Sequence, residues 1–298
     1  MRGRFLIACG APTVGVLVFL TACIGGNRPK PGTVLDEARQ ANRPASSFAA
    51  ADEDYFHDMD GALPLTPEEI KGRNMWIVWT GDDDRLWDGL TNSSFGALDF
   101  LKTLSSHPSL KYSRDTRWNY LGLVNEPCFE KPTGPDPNRF GLWLDKRSAS
   151  CPPDPFENES KYPGVKVGAR GKNLPAGSFY GYGTGIVGLR LFPNPAFDEA
   201  AARKWDAEKY YTDPAYYNSK DLVKPYRVGM SCGFCHVGPN PVKPPTDPEH
   251  PKWENLASNV GAQYFWVDRI FDWKADPANY IQQMFHTCLL YTSPSPRD

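Results

Sequence analysis

Proline recurs along this whole chain, 29 times in 298 residues, about twice its ordinary share of roughly 5%. Each proline fixes φ, removes a backbone donor and ends a helix or restricts a strand to a sheet edge. The chain is therefore confined to short helices and much irregular backbone. Its core must come from large side chains, and nine Trp, 16 Phe and 14 Tyr supply them. With 40% hydrophobic and 23% charged residues, the composition is that of a folded globular protein. The segments with clear periodicity read as helices, so the expected fold class is mainly α with extensive irregular loops.

Order is expected from Thr66. There Thr66 as N-cap, Pro67 at the first helical position and Glu69 three residues after the cap form a capping-box pattern feeding an apolar run. A second helix is expected from Asp83 through Leu90, and a third through residues 94–106, where Phe95, Leu98, Leu101 and Leu104 have helical spacing. Asp82, Asp83 and Asp84 read as acidic residues at a helix N-terminus rather than a calcium site, since no further carboxylate is spaced to complete the shell. The middle of the chain, from Pro127 to Pro175, reads as loop. Gly183, Gly185 and Gly188 match a dinucleotide fingerprint in letters, but Pro193 and Pro195 follow too soon for the helix that would hold a pyrophosphate. "IVGLRLF" reads instead as a short strand or loop packed closely on another surface. A helix is expected through residues 196–211 with Ala200, Lys204 and Glu208 on its exposed face. One or two more are expected through residues 253–273, carrying Leu256, Val260, Tyr264, Val267 and Phe271.

At the N-terminus, Arg2 and Arg4 precede an apolar run from Phe5 to Leu20, the pattern of an export signal. The run closes on Leu20-Thr-Ala-Cys23, which resembles the bacterial lipobox. Residues 1–22 are accordingly expected to be a lipoprotein signal peptide and Cys23 a lipidated first residue. The polar stretch 23–65 is expected to be a flexible tether, which places the protein on the periplasmic side of a bacterial membrane, the outer membrane favoured. At the other end, residues 288–298 resemble a translated adapter of the kind used in sequencing libraries, and the natural chain is expected to continue past Thr287.

Seven cysteines reduce to four once Cys9, Cys23 and Cys288 are set aside. Cys128 and Cys151 lie in two Pro-rich segments of an exported chain, where oxidising conditions favour a disulfide. Cys232 and Cys235 remain, in the sequence Cys232-Gly-Phe-Cys235-His236. C-x-x-C alone serves redox or zinc chemistry. A histidine directly after the second cysteine points to covalent haem of the c type, with both sulfurs bonded to the porphyrin and His236 as the proximal iron ligand. Against zinc stands the lack of a second Cys or His pair, and against a thioredoxin-like dithiol the lack of a βαβ context.

For the sixth iron position the candidates are His286, Met284 and His250, a ligand beyond the chain, or none. His57 and His107 read as surface or capping residues, and Met230 is too close to the attachment site to reach the opposite face. The cofactor is thus expected to be haem c, in a cytochrome c-like haem domain at residues 225–287, incomplete at its C-terminal end, after a helical and loop-rich region at residues 66–224. The net charge of −2 and the absence of a basic stripe argue against nucleic acid.

The run "CGFCHVGPNPVKPPTDPEHPKWENLASNVGAQYF", following "PAGSFYGYGTGIVGLRLFPNP", resembles exported multi-haem cytochromes distantly related to dihaem peroxidases and dihaem rubber oxygenases. The resemblance implies a second C-x-x-C-H further on and a two-haem protein of which this is the N-terminal portion. Two functions are therefore expected. One is a membrane-anchored electron carrier working with a redox protein or a small-molecule electron donor or acceptor. The alternative is a peroxidase- or oxygenase-like haem enzyme.

Overall fold

The computed structural model describes residues 37–158, 160–162, 180–259, 261 and 263–285. Residues 1–22, expected to be a signal peptide, Cys23, Val260, His286 and residues 288–298 lie outside the described residues. The helices that the prolines permit are short. They are α1 (Glu37–Gln40), α2 (Pro67–Val78), α3 (Asp84–Ser93), α4 (Phe100–Thr103), α5 (Arg117–Leu121), α6 (Glu199–Lys204), α7 (Ala207–Thr212), α8 (Pro214–Tyr217), α9 (Gly233–His236) and α10 (Val267–Phe271). The strands are β1 (Phe129–Glu130), β2 (Lys146–Arg147), β3 (Tyr182–Gly183), β4 (Leu189–Pro193), β5 (Tyr226–Met230), β6 (Val237–Pro239) and β7 (Leu256–Ser258).

The mainly α class with a cytochrome c-like C-terminal domain is not what is observed. Short helices are interspersed with three small antiparallel sheets, β1–β2, β3–β4–β5 and β6–β7, giving a mixed α/β arrangement. The physical reason lies in residues 225–258, which supply strands where a cytochrome c domain would supply helices. β5 completes a sheet begun at Tyr182, with Leu189 opposite Met230 and Leu191 opposite Val228. Leu256, expected on a helix, instead lies on β7, pairs with Pro239 of β6 and is buried in the core.

Two helices expected from periodicity are also cut down. Over residues 94–106 only α4 is helical: Phe95 and Gly96 adopt positive φ, and Asp99 accepts from Leu101 N to start a new turn. Phe95 is left exposed. Over residues 196–211 the chain breaks at Trp205, and Asp206 caps α7 by accepting from Lys209 N. By contrast, α2 begins with the capping box read from the sequence. The Thr66 side chain accepts from Glu69 N while Glu69 accepts from Thr66 N. Order also starts before Thr66: Phe56 and Met59 are buried, and Asn74 donates to the Ala51 and Glu53 carbonyls.

Two apolar clusters form the core. One gathers Leu98, Leu104, Leu123, Leu189, Val228 and Phe234, and the other Phe56, Ile77, Val124, Phe156, Val237 and Leu256. Cys128 and Cys151 are joined in a disulfide, with Cα atoms 5.7 Å apart, at the end of the β1–β2 ribbon. Within the first cluster lies a buried cation. Lys102 Nζ stands 3.4 Å from the Tyr217 ring centroid and 3.9 Å from that of Trp273, with no hydrogen-bond partner. Burial pushes its pKa down to about 7.

Two outcomes follow. The folded pKa of Lys102 is depressed below its unfolded value near 10.4. Between about pH 7 and pH 10 the unfolded chain therefore binds more protons, and stability rises with pH by at most about 1.4 kcal/mol per unit. Urea unfolding at stepped pH should show that slope reduced in Lys102→Met; an unchanged slope would assign it elsewhere. Cys128→Ser with Cys151→Ser should cost about 3 kcal/mol, as expected for opening a loop of this length, read by the same denaturation.

Candidate functional site

The Cys232–His236 segment forms the single helical turn α9, and the elements around it fix that turn from several sides. Ser231 N donates to Gly188 O at 2.8 Å and Ser231 Oγ to Ile77 O at 2.6 Å, while Met230 N donates to Asp83 Oδ1 at 2.9 Å. On the far side Asn259 N donates to His236 O at 2.8 Å. Asp83, expected merely as one of three acids at a helix start, is thus a staple between α3 and β5. Its other oxygen accepts from Trp87 Nε1 at 2.9 Å.

Close backbone approach sets the position of α9. A Cβ on Gly188, whose φ is +83°, would stand 2.1 Å from Phe234 N, and one on Gly233 would press on Ile77 Cα at 3.2 Å. The glycine-dense segment therefore packs against the cysteine turn itself. Phe234 fills the first core cluster against Phe100 and Phe265, at 5.7 and 5.9 Å between ring centroids, whereas Val237 enters the second. The turn sits on the seam between the two.

Within the turn, Cys232 is exposed and Cys235 half-buried, and both are free thiols rather than a disulfide. Burial, aided by the neighbouring Cys232, pushes the Cys235 thiol up to about 11. A protonated thiol at neutral pH is a poor nucleophile, which is unlike the depressed pKa of a dithiol oxidoreductase. Among the described residues no group of three or more His, Cys, Asp or Glu is arranged to hold a metal ion.

His236 packs against Trp76, with 5.5 Å between ring centroids and a 36° tilt. Its Nδ1 is buried and has no hydrogen-bond partner. One exposed and one half-buried free thiol, with an imidazole next to the second, presented from one turn, suit the donor set of a c-type haem. Thioether attachment needs unpaired sulfurs, and axial ligation needs an imidazole whose nitrogens are not already spent.

The candidates for the sixth position are spread out. His250 is exposed and held by Asp247, at 2.8 Å from Nδ1, and by Asp115. Met284 is half-exposed in the helical segment 280–285, and His286 lies outside the described residues. His107, expected as a surface or capping residue, is buried: it stacks on Tyr211 at 4.2 Å and accepts from Ser109 N at Nδ1, a local cap of the backbone. His57 is exposed beside Asp58. Met230 packs under the first core cluster.

The fingerprint-like glycines hold no ligand-binding helix. Thr184 Oγ1 donates to Leu189 O at 2.8 Å, and β4 begins at Leu189. No helix among the described residues is long and apolar enough to cross a membrane.

Sequence reasoning missed Trp76, which packs on His236, and Arg73, Asp60 and Ser258, which line one pocket together with Trp76. Nothing in the spacing of these residues links them, because they come together only through the packing of α2 on α9 and the pairing of β6 with β7. Compared with family models, with curated proteins and with solved structures, the chain matches none.

The contact at Gly188 yields a direct expectation. Gly188→Ala combines a positive φ, costing about 1–2 kcal/mol for an L side chain, with a backbone clash that must displace α9. Denaturant unfolding should show a loss beyond about 2 kcal/mol, whereas Gly89→Ala, at an open, exposed position inside α3, should leave stability unchanged or raise it by up to about 1 kcal/mol.

Proposed function

We propose that this chain is an exported c-type cytochrome that transfers electrons on the periplasmic side of a bacterial membrane, tethered by a lipid on Cys23. The observation that carries the proposal is one helical turn offering Cys232 and Cys235 as free thiols and His236 as an imidazole with a buried, unpartnered nitrogen. When bound, haem supplies an iron that exchanges one electron between its ferric and ferrous states. The residues of the chain attach, orient and shield it.

Cys232, the more exposed, and Cys235, the more buried, would form the two thioether links, and His236 would be the proximal ligand. The Gly188 contact and the Ser231 hydrogen bonds hold the turn rigid, so little reorganisation accompanies a change of charge. Phe234 turns into the core, and of the two cysteines Cys232 is the exposed one. Trp76 contacts His236 and lines a surface pocket, and would offer an aromatic side chain on the way to the surface. The donor or acceptor is a redox protein or a small molecule.

The test uses the full chain co-expressed with periplasmic haem-maturation machinery. A proteolytic peptide spanning Cys232 to His236 should carry the mass of one haem, and Cys232→Ala with Cys235→Ala should lose it. The optical spectrum should be low-spin and six-coordinate in both oxidation states. A peptide of unmodified mass overturns the haem reading. A high-spin, ligand-binding spectrum overturns the carrier reading in favour of an enzyme.

A further inference from the structure

A cleft of about 440 Å³ that shares no residue with the cysteine turn opens between the β1–β2 ribbon and the β3–β4–β5 sheet. Its size falls in the range of small-molecule sites, about 300–1,000 Å³. One wall is a face of the sheet. Leu191 and Pro193 stand two apart on β4 and point the same way, with Tyr182 and Tyr226 as their partners on β3 and β5. The other wall is the ribbon, where the Arg147 guanidinium lies 4.6 Å from the Phe129 ring centroid. Gly183 lets the two walls meet, since a Cβ there would stand 2.6 Å from Arg147 Nη2 and 3.0 Å from Phe129 Cζ. Arg139 reaches the cleft from a turn tied at its base, where Asp136 N donates to Leu142 O and Asp136 O accepts from Arg139 N and Gly141 N. The cleft is therefore formed in advance, which lowers the ordering cost of binding.

The polar atoms left open on its lining residues are of both kinds. Arg139 donates from Nη1 to Asp145 O at 3.0 Å, and Arg147 donates to Tyr55 Oη and to Glu157 Oε1, both at 3.2 Å. Arg139 Nε and Nη2 and Arg147 Nε make no hydrogen bond among the described residues and are not buried. Glu157 Oε1 also accepts from Gly183 N at 2.6 Å, while Oε2 is unpaired and not buried, as is the Tyr226 hydroxyl.

A guanidinium only donates, an ionised carboxylate only accepts, and a phenol does both. An occupant that answers all of them must itself donate and accept. Arg139 alone would favour an anion, but an anion cannot donate and would face the open Glu157 oxygen, and Arg147 is already neutralised by Glu157 and by Asp154 at 3.7 Å. A sugar meets the requirement. Each of its hydroxyls donates and accepts, and its C–H face suits the electron-rich face of an aromatic ring.

We infer that this cleft binds an uncharged sugar ring, with Tyr182 and Tyr226 as the stacking surface and Arg139, Arg147 and Glu157 as the hydrogen-bonding groups. The site is independent of haem and goes beyond electron transfer.

Saturation-transfer NMR on the full chain, produced with and without haem maturation, tests it with cellobiose, lactose, mannobiose and chitobiose, and with benzoate as the anionic comparison. At least one disaccharide should bind saturably in both preparations and receive saturation at its ring C–H protons. The Tyr226 hydroxyl makes no bond within the protein, so Tyr226→Phe leaves the fold intact and should weaken that binding about fivefold. Tyr226→Leu, which removes the ring, should weaken it at least tenfold, with its denaturation midpoint measured alongside. Three results overturn the proposal: no disaccharide binding with a Kd below about 10 mM, disaccharide binding that Tyr226→Phe leaves unchanged, or binding of benzoate alone, strengthened by Glu157→Gln, which would mark an anion site. Haem-free protein that binds the sugar leaves this site standing whatever becomes of the cytochrome reading.

Discussion

One buried carboxylate organises the loops of this protein. Asp145 is fully buried between Arg114 and Arg117, with Nη1 atoms at 3.0 and 2.9 Å from the same oxygen. In a chain so rich in proline, long stretches have no ladder to satisfy their carbonyls, and each unpaired buried carbonyl is costly. The two guanidinium groups answer that need. They donate to Leu104 O, Glu126 O and Gly185 O, which lie in segments far apart in the chain. A buried ionic group is weak evidence for net stability, but removing one partner would strand the others without compensation. Asn125 and Glu249 extend the network: the Glu249 carboxylate accepts from Trp118 N and Asn119 N at the start of α5.

The network reaches the candidate site through the glycine segment. Gly185 O is held by Arg114, and three residues later Gly188 touches Phe234 and accepts from Ser231 N. The cysteine turn is therefore braced by loops that the arginines lock, and not by a helix of its own domain. That explains how four residues of helix can hold two thiols and an imidazole in a fixed relation. It also explains why the turn lies on the seam of two apolar clusters: Phe234 and Val237 point in opposite directions along a strand–turn–strand path from β5 to β6.

The legible parts of the fold were those set by local rules. Thr66, Pro67 and Glu69 specify an N-terminus by contacts within one turn, and α2 starts there. Where Asp83 to Leu90 was expected as a helix, α3 runs from Asp84 to Ser93, and of "IVGLRLF" the part from Leu189 onward is strand β4 while Gly188 is packed tightly on α9. Periodicity misled where it was not backed by caps. Residues 94–106 carry helical spacing, yet Ser94 Oγ accepts from Leu98 N and Asp99 restarts the chain, so local side-chain bonds outcompeted the helix. Leu256 shows the converse, since its apolar character fitted a helix or a strand and only the pairing with Pro239 chose between them. The expectation of a helical haem domain failed for the same reason, because β5, β6 and β7 find their partners through tertiary contact.

The sequence by itself determined that two thiols three residues apart and a histidine next to the second stand within five positions of chain. That they share one helical turn is a matter of the local fold. The sequence also determined that helices would be short, since proline acts on its own neighbours. Only the tertiary structure decided that Trp76 packs on His236 and which residues share the pocket that Trp76 lines. Asp60 and Ser258 are 198 residues apart in the chain, and Trp76 and Arg73 reach the same pocket from another helix. Such a convergence depends on how elements dock across long loops, and that docking has no signature in the order of the residues.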